Sequence, residues 1–221
     1  MPVIRAIVFD FDGLILETEG PALLSWNEIY REHGHEVPMD EWHGYLGSDR
    51  GFEPVDHLAA LVGEGLDREA TQARRDARKT ELIEALDLMD GVREYIADAR
   101  RLGLRLGVAS SSSRQWVMGH LMRLGIHTHW DTVRCRDDVV RTKPAPDLYL
   151  AAVDALGVGP QEAVALEDSP NGIAAAKAAG LYCVAIPNAL TRGLDLGQAD
   201  VRLGSLAEMP LERLLAVLSG S

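Results

Sequence analysis

Residues 3–13 read VIRAIVFDFDG. The run from Val3 to Phe9 is short, β-branched and almost wholly apolar, and it ends abruptly in acid. Such a run reads as a strand covered on both faces, the kind that sits inside a parallel sheet. Asp10 and Asp12 follow at a spacing of two, which at a strand end turns both carboxylates to one side. Gly13 then lets the chain turn sharply away. Two carboxylates held close repel each other, and a divalent cation relieves the repulsion. Taken alone, the pair is either a solvated strand end or part of a metal site. Its place after a first parallel strand, where open α/β sheets bind ligands, favours the site.

Working outward, comparable apolar runs lie at Leu104–Ala109, Ala163–Leu166 and Cys183–Ile186. Helical patterns separate them at Val92–Leu102, Gln115–Leu124, Asp147–Leu156 and Gly172–Ala179. Gly103, Gly125, Gly157 and Gly180 each fall where a helix C-terminus wants a residue tolerant of positive φ. This alternation predicts an α/β fold: a Rossmann-like parallel sheet with helices on both faces. Residues 18–87 differ, having helical runs at Ala22–Glu32 and Asp67–Leu86 and no clear strand. The second of these is rich in Arg, Glu and Ala and reads as a largely exposed helix. The expected organisation is therefore a core of 1–17 and 88–221 with an inserted α-helical cap of 18–87, hinged near 16–20 and 86–90.

The chain has 221 residues, with 22 Lys and Arg against 34 Asp and Glu, so its formal net charge is −12. Its 47% apolar and 25% charged residues suit an ordinary globular protein. The acidic balance counts against nucleic acid and anionic membrane as partners, because both reward a basic surface. No run approaches the ~18–20 apolar residues of a membrane span. Cys135 and Cys183 belong to no CxxC pair and read as free thiols in a reducing compartment. The start of the chain lacks a basic segment leading into a long apolar stretch, so a cytoplasmic protein, taken as a monomer, is the expectation.

Three further stretches bear on chemistry. Glu167 and Asp168 follow another apolar strand and lead into Ser169-Pro170-Asn171-Gly172. If both strands share a sheet, four carboxylates converge on one edge, and hard oxygen ligands in that number suit Mg²⁺. A lone acidic pair there would instead be a capping feature. Ser110, with Ser111, Ser112 and Ser113, follows the strand ending at Ala109; hydroxyls and N–H groups at a helix start form either an anion site or an N-cap. Lys143, in Lys143-Pro144-Ala145-Pro146-Asp147, is either solvated surface or a fixed cation facing the acidic site.

Together these elements resemble the haloacid dehalogenase superfamily of phosphotransferases. The family's four motifs stand, in order, as DFDGL at 10–14, Ser110 after VA, Lys143 in KPAPD, and EDSPNG at 167–172. The sequence looks most similar to the β-phosphoglucomutase-like branch of sugar-phosphate phosphatases and mutases. The resemblance implies that Asp10 attacks phosphorus, forming an aspartyl-phosphate. Asp12 would protonate the leaving oxygen and then deprotonate water. It places Mg²⁺ on the Asp10 carboxylate, the Asp12 main-chain carbonyl and Asp168, with Glu167 directly or through water. Ser110, Ser111 and Lys143 would hold the phosphoryl oxygens. Gly47-Ser48-Asp49-Arg50 fits the family's G-x-x-R cap loop, which makes Gly47 and Arg50 substrate candidates. Thr18 and Trp26 fall on family-like positions under the cap, and Arg114 is a candidate for a distal phosphate.

Three residues depart from the pattern. Glu17 stands where the family commonly has Asp, Ala22 where mutases carry a His, and Ser113 where they tend to have a Lys. The last two favour a phosphatase over a phosphomutase. The expected activity is Mg²⁺-dependent hydrolysis of a small phosphorylated metabolite, a sugar phosphate in the leading reading. A binding protein on a catalytically idle scaffold is the alternative from another class. His33 and His35, and His127 and His129, read as loop histidines, and Trp116 and Trp130 as packing residues.

Overall fold

A computed structural model describes residues 3–47, 51–63 and 65–220. Strand β1 (Ala6–Phe9) is buried along its whole length because it has parallel partners on both sides. One is β2 (Arg105–Ala109); the edge strand β3 (Thr132–Arg134) lies beyond it. On the other side come β4 (Ala163–Glu167), β5 (Tyr182–Ala185) and β6 (Val201–Arg202), giving the order β3-β2-β1-β4-β5-β6. The pairing is parallel throughout. This is the Rossmann-like α/β architecture expected from the alternation of strands and helices.

The two faces differ in bulk, with a period of two along each strand. Ile7, Phe9, Leu106, Val108, Val164 and Leu166 share one apolar cluster. It is closed by α5 (Val92–Arg101), α6 (Arg114–Arg123) and α9 (Leu211–Leu218). The opposite face presents mostly alanine, at Ala6, Ala163, Ala165 and Ala185, to α7 (Asp147–Leu156) and α8 (Pro170–Ala178). Small residues there let these two helices lie close to the sheet. Cys135 and Cys183 are buried and free, and neither is in a disulfide.

Between β1 and α5 the chain forms α1 (Glu19–Glu32), α2 (Met39–Tyr45), α3 (Pro54–Val62) and α4 (Arg68–Glu84). These helices have an apolar cluster of their own, built on Trp26, Ile29, Tyr30, Trp42 and Leu58. Arg78 clamps Glu28 with two bonds of 2.9 and 3.0 Å and so joins α4 to α1. The two connections to the sheet run together: Leu16 bridges Leu88, and Met89 N–H donates to the Ile15 carbonyl at 3.0 Å. The inserted segment also rests on the core through main-chain acceptors. Ser111 Oγ donates to the Gly47 carbonyl at 3.2 Å, and Asn171 Nδ2 to those of Gly44 and Leu46 at 3.1 and 2.8 Å. Among the described residues no helix is long and apolar enough to cross a membrane.

Candidate active site

Parallel pairing aligns the carboxyl ends of β1 and β4, with Phe9 in register with Leu166, so the residues that follow each strand meet. Asp10 follows β1, Glu167 ends β4 and Asp168 comes next. All three are buried, and each offers a carboxylate oxygen within 4.8 Å of the others. Lys143, from the loop before α7, reaches the same point. Its Nζ donates to Asp10 Oδ1 at 2.5 Å and to Glu167 Oε1 at 2.6 Å, while the side chain is only 1% exposed. Tyr149 OH donates to Glu167 Oε1 at 2.5 Å, and Asn188 Nδ2 to Asp168 Oδ2 at 2.7 Å.

Charge is the main property of this cluster. Removal from water drives the Asp10 carboxyl well above its usual range, with Lys143 offsetting part of the effect and Glu167 adding to it. Asp168 is likewise raised, first by burial and then by Asp10 and Glu167. For Lys143, burial works to lower the ammonium, but the pull of Asp10 and Glu167 outweighs it and the net shift is upward. Three buried carboxylates face one ammonium, which leaves two negative charges uncompensated when all are ionised. An oxygen-only donor set with that imbalance fits a hard divalent cation such as Mg²⁺.

Gly13 shows why the first loop can close over this cluster. Its φ is +81°, and a Cβ there would lie 2.4 Å from Asp168 Oδ2, so only glycine fits.

The Asp12 carboxylate is turned elsewhere. Its Oδ1 accepts from Thr18 Oγ1 at 2.8 Å and from Trp116 Nε1 at 2.9 Å. Its Oδ2 accepts from Ser112 Oγ at 2.6 Å and from Ser110 Oγ at 3.3 Å. Thr18 sits at the N-cap of α1 but makes no side-chain cap bond, since its hydroxyl serves Asp12 instead.

Asp10 and Asp12 open into a cavity of about 630 Å³ between the sheet edge and the inserted helices. Thr18, Gly47, Ser111 and Ser112 line it, as do the departures Ala22 and Ser113. Helix α4 contributes Gln72, Arg75, Asp76, Lys79 and Thr80, residues three and four apart that form one stripe. The expectation of a largely exposed helix misses this inward stripe. Glu19 also lines the cavity; burial and the Asp12 charge push its carboxyl up to about 7.

The expected residues therefore fall into groups. Asp10, Lys143, Glu167 and Asp168 form the buried charge cluster. Asp12, Ser110 and Thr18 form a hydrogen-bonded group beside it, while Ser111 and Gly47 meet at the seam. Arg114 is not among the cavity's lining residues. Its guanidinium is bound to both oxygens of Asp138 at 2.7 and 2.6 Å. Arg50 lies outside the described residues. Trp116, Tyr149 and Asn188 were not singled out as site residues by the sequence. An aromatic within a helical apolar pattern reads as packing, and an asparagine beyond a strand as a turn.

The site is thus a set of charged groups gathered at the strand ends of a Rossmann-like α/β sheet, beneath the inserted helices. The chain belongs to the haloacid dehalogenase-like hydrolase family, which it matches over residues 4–180. It is 44% identical to YhcW of Bacillus subtilis over 214 residues, covering 96% of this chain and 97% of that one. It is 32% identical to the fructose-1-phosphate phosphatase YqaB of Escherichia coli over 182 residues, 80% of this chain and 94% of that one. Among solved structures, CbbY of Rhodobacter sphaeroides in complex with phosphate superposes with a TM-score of 0.75 at 33% identity. That match covers 93% of this chain and 96% of CbbY. The protein is an enzyme, of the phosphoric monoester hydrolase class.

Proposed function

We propose that the protein is a Mg²⁺-dependent phosphatase that hydrolyses a small sugar phosphate through an aspartyl-phosphate on Asp10. The observation that carries this reading is the 2.5 Å contact of Lys143 with Asp10, a residue that lines the cavity. Lys143 offsets part of what burial costs the Asp10 charge and sets a fixed cation beside the place where, in the proposed reaction, phosphoryl oxygens gather. The phosphoryl-transfer transition state needs mainly positioning and electrostatic support, and this arrangement supplies both.

In the proposed reaction an Asp10 oxygen attacks phosphorus, and the ester oxygen leaves with a proton from Asp12. Asp12 then takes a proton from the water that hydrolyses the aspartyl-phosphate, which returns both groups to their starting state. Ser110, Ser111 and Lys143 hold the phosphoryl oxygens. Asp10, Glu167 and Asp168, with the Asp12 main-chain carbonyl, would hold Mg²⁺, which when bound supplies charge neutralisation and orientation. Residues 18–87 act as a cap whose stripe on α4, with Thr18 and Gly47, faces the remainder of the substrate. Ala22 and Ser113 line the cavity where mutases of the resembled branch carry a His and a Lys, which supports hydrolysis over mutase chemistry.

The test is phosphate release from p-nitrophenyl phosphate and a sugar-phosphate panel by wild type and Asp10→Asn. The expected result is loss of turnover in a variant that melts like the wild type, with phosphate trapped on the Asp10 peptide only in the wild type. Turnover retained by folded Asp10→Asn overturns the reading.

A further inference from the structure

Four donors hold the Asp12 carboxylate, and they are not equivalent. Thr18, Ser110 and Ser112 carry hydroxyls, which rotate and both donate and accept. The indole N–H of Trp116 only donates, along a direction set by its ring. The ring is itself fixed. Lys79 Nζ of α4 lies 4.1 Å from its centroid, and His120 meets it edge-on with centroids 4.3 Å apart. The backbone N–H of Trp116 is tied to Ser113 Oγ at 3.3 Å. Trp116 thus spans the seam between the inserted helices and the core, with its one polar atom on Asp12.

We infer that Trp116 is a positioning residue that fixes the orientation of the Asp12 carboxyl for its proton transfer. Unlike the three hydroxyls, the indole N–H cannot turn to accept, so it holds Oδ1 in one fixed direction. Oδ2 meets only the rotatable hydroxyls of Ser112 and Ser110, which set its direction less firmly. Without the indole N–H only rotatable hydroxyls hold the carboxyl, and it is aligned for proton transfer only part of the time. This inference rests on the reading of Asp12 as the group that protonates the leaving oxygen.

The experiment compares kcat/KM for phenyl phosphate and p-nitrophenyl phosphate in the full-length protein, in single turnovers with enzyme in excess. This quantity reports transfer to Asp10 and not the later hydrolysis. Nitrophenolate leaves readily without a proton, whereas phenolate depends on one. Trp116→Phe keeps an aromatic ring under Lys79 and removes the N–H together with the pyrrole half of the indole. It should lower kcat/KM for phenyl phosphate about tenfold more than for the nitrophenyl ester, a fraction of the roughly 10²–10⁴-fold that a positioned acid supplies. An equal fall for both esters is what a merely structural role produces, and it overturns the inference. Asp12→Asn separates the two levels. If it lacks the leaving-group bias, the proton role of Asp12 fails and takes the inference with it. If Asp12→Asn shows the bias and Trp116→Phe does not, positioning alone is refuted. Should the phenyl ring unfold the protein, benzothienylalanine at position 116, isosteric with indole and without the N–H, makes the same comparison.

Discussion

Lys143 and Asp10 form an ion pair of 2.5 Å in which the lysine side chain is 1% exposed and the aspartate 7%. The same ammonium reaches Glu167 at 2.6 Å, so one cation from the loop before α7 ties together the ends of β1 and β4. Removing it leaves buried carboxylates facing each other. Breaking a buried pair by deleting one partner costs about 3–5 kcal/mol. Lys143→Met should therefore melt well below wild type in metal-free buffer. Its phosphate release should also fall about 10²–10³-fold, as for loss of one preorganised charge donor. Calorimetry and a phosphate assay check both, and an unchanged melting temperature would contradict the pairing.

Saturating Mg²⁺ should raise the melting temperature relative to EDTA, because an ion that binds only the folded chain stabilises it by mass action. The gain is about 2.7 kcal/mol at a hundredfold excess over Kd. Asp168→Asn should lose most of that gain while remaining folded, since Asn188 can still hydrogen-bond the new amide oxygen. The comparison is a pair of thermal melts on each protein. Equal responses to Mg²⁺ in the two would remove Asp168 from the metal site.

Glu19 has its carboxyl pushed up to about 7 by burial and by the charge of Asp12. A raised carboxyl favours the protonated folded state, so its contribution to stability is present below about pH 4.5 and lost as the pH climbs through 7. Glu19→Gln should match wild type at pH 4.5 and melt higher than wild type at pH 8. In the cavity the same titration adds a negative charge, so KM for an anionic substrate should rise across pH 6–8 more steeply in wild type than in the variant. Parallel KM profiles would show that Glu19 does not titrate across that range.

Gly172, in the first turn of α8, has no room for a side chain. A Cβ would lie 1.9 Å from Glu167 Oε2 and 2.0 Å from its Cδ. Glu167 cannot step aside freely, since Lys143 and Tyr149 both hold it. Gly172→Ala should cost about 1–3 kcal/mol, the usual range for overpacking a tight interior. It should also weaken Mg²⁺ binding, measured by titration calorimetry, by displacing Glu167. A variant with wild-type stability and metal affinity would show that the carboxylate has slack there.

Much of the core is written in local pattern. β1, β2, β4 and β5 appear as apolar runs because each is covered on both faces, and Gly103, Gly125, Gly157 and Gly180 all adopt positive φ at helix ends. The strands β3 and β6 left no such mark. They are short, lie at the two sheet edges, and have no fully buried residue. The charged positions after each strand were legible because strand ends in a parallel sheet must meet. The stripe on α4 was not, since Arg and Lys facing a wet cavity look like Arg and Lys facing solvent. Trp116 was hidden for the opposite reason: its ring packs as an apolar residue would, and only the direction of one N–H distinguishes its role.

Residues 44–47 are fastened to the core through their peptide oxygens, to which Ser111 and Asn171 donate. A latch of this kind does not depend on which side chains the loop carries. Side chains along that segment can therefore change while its attachment to the sheet edge stays the same.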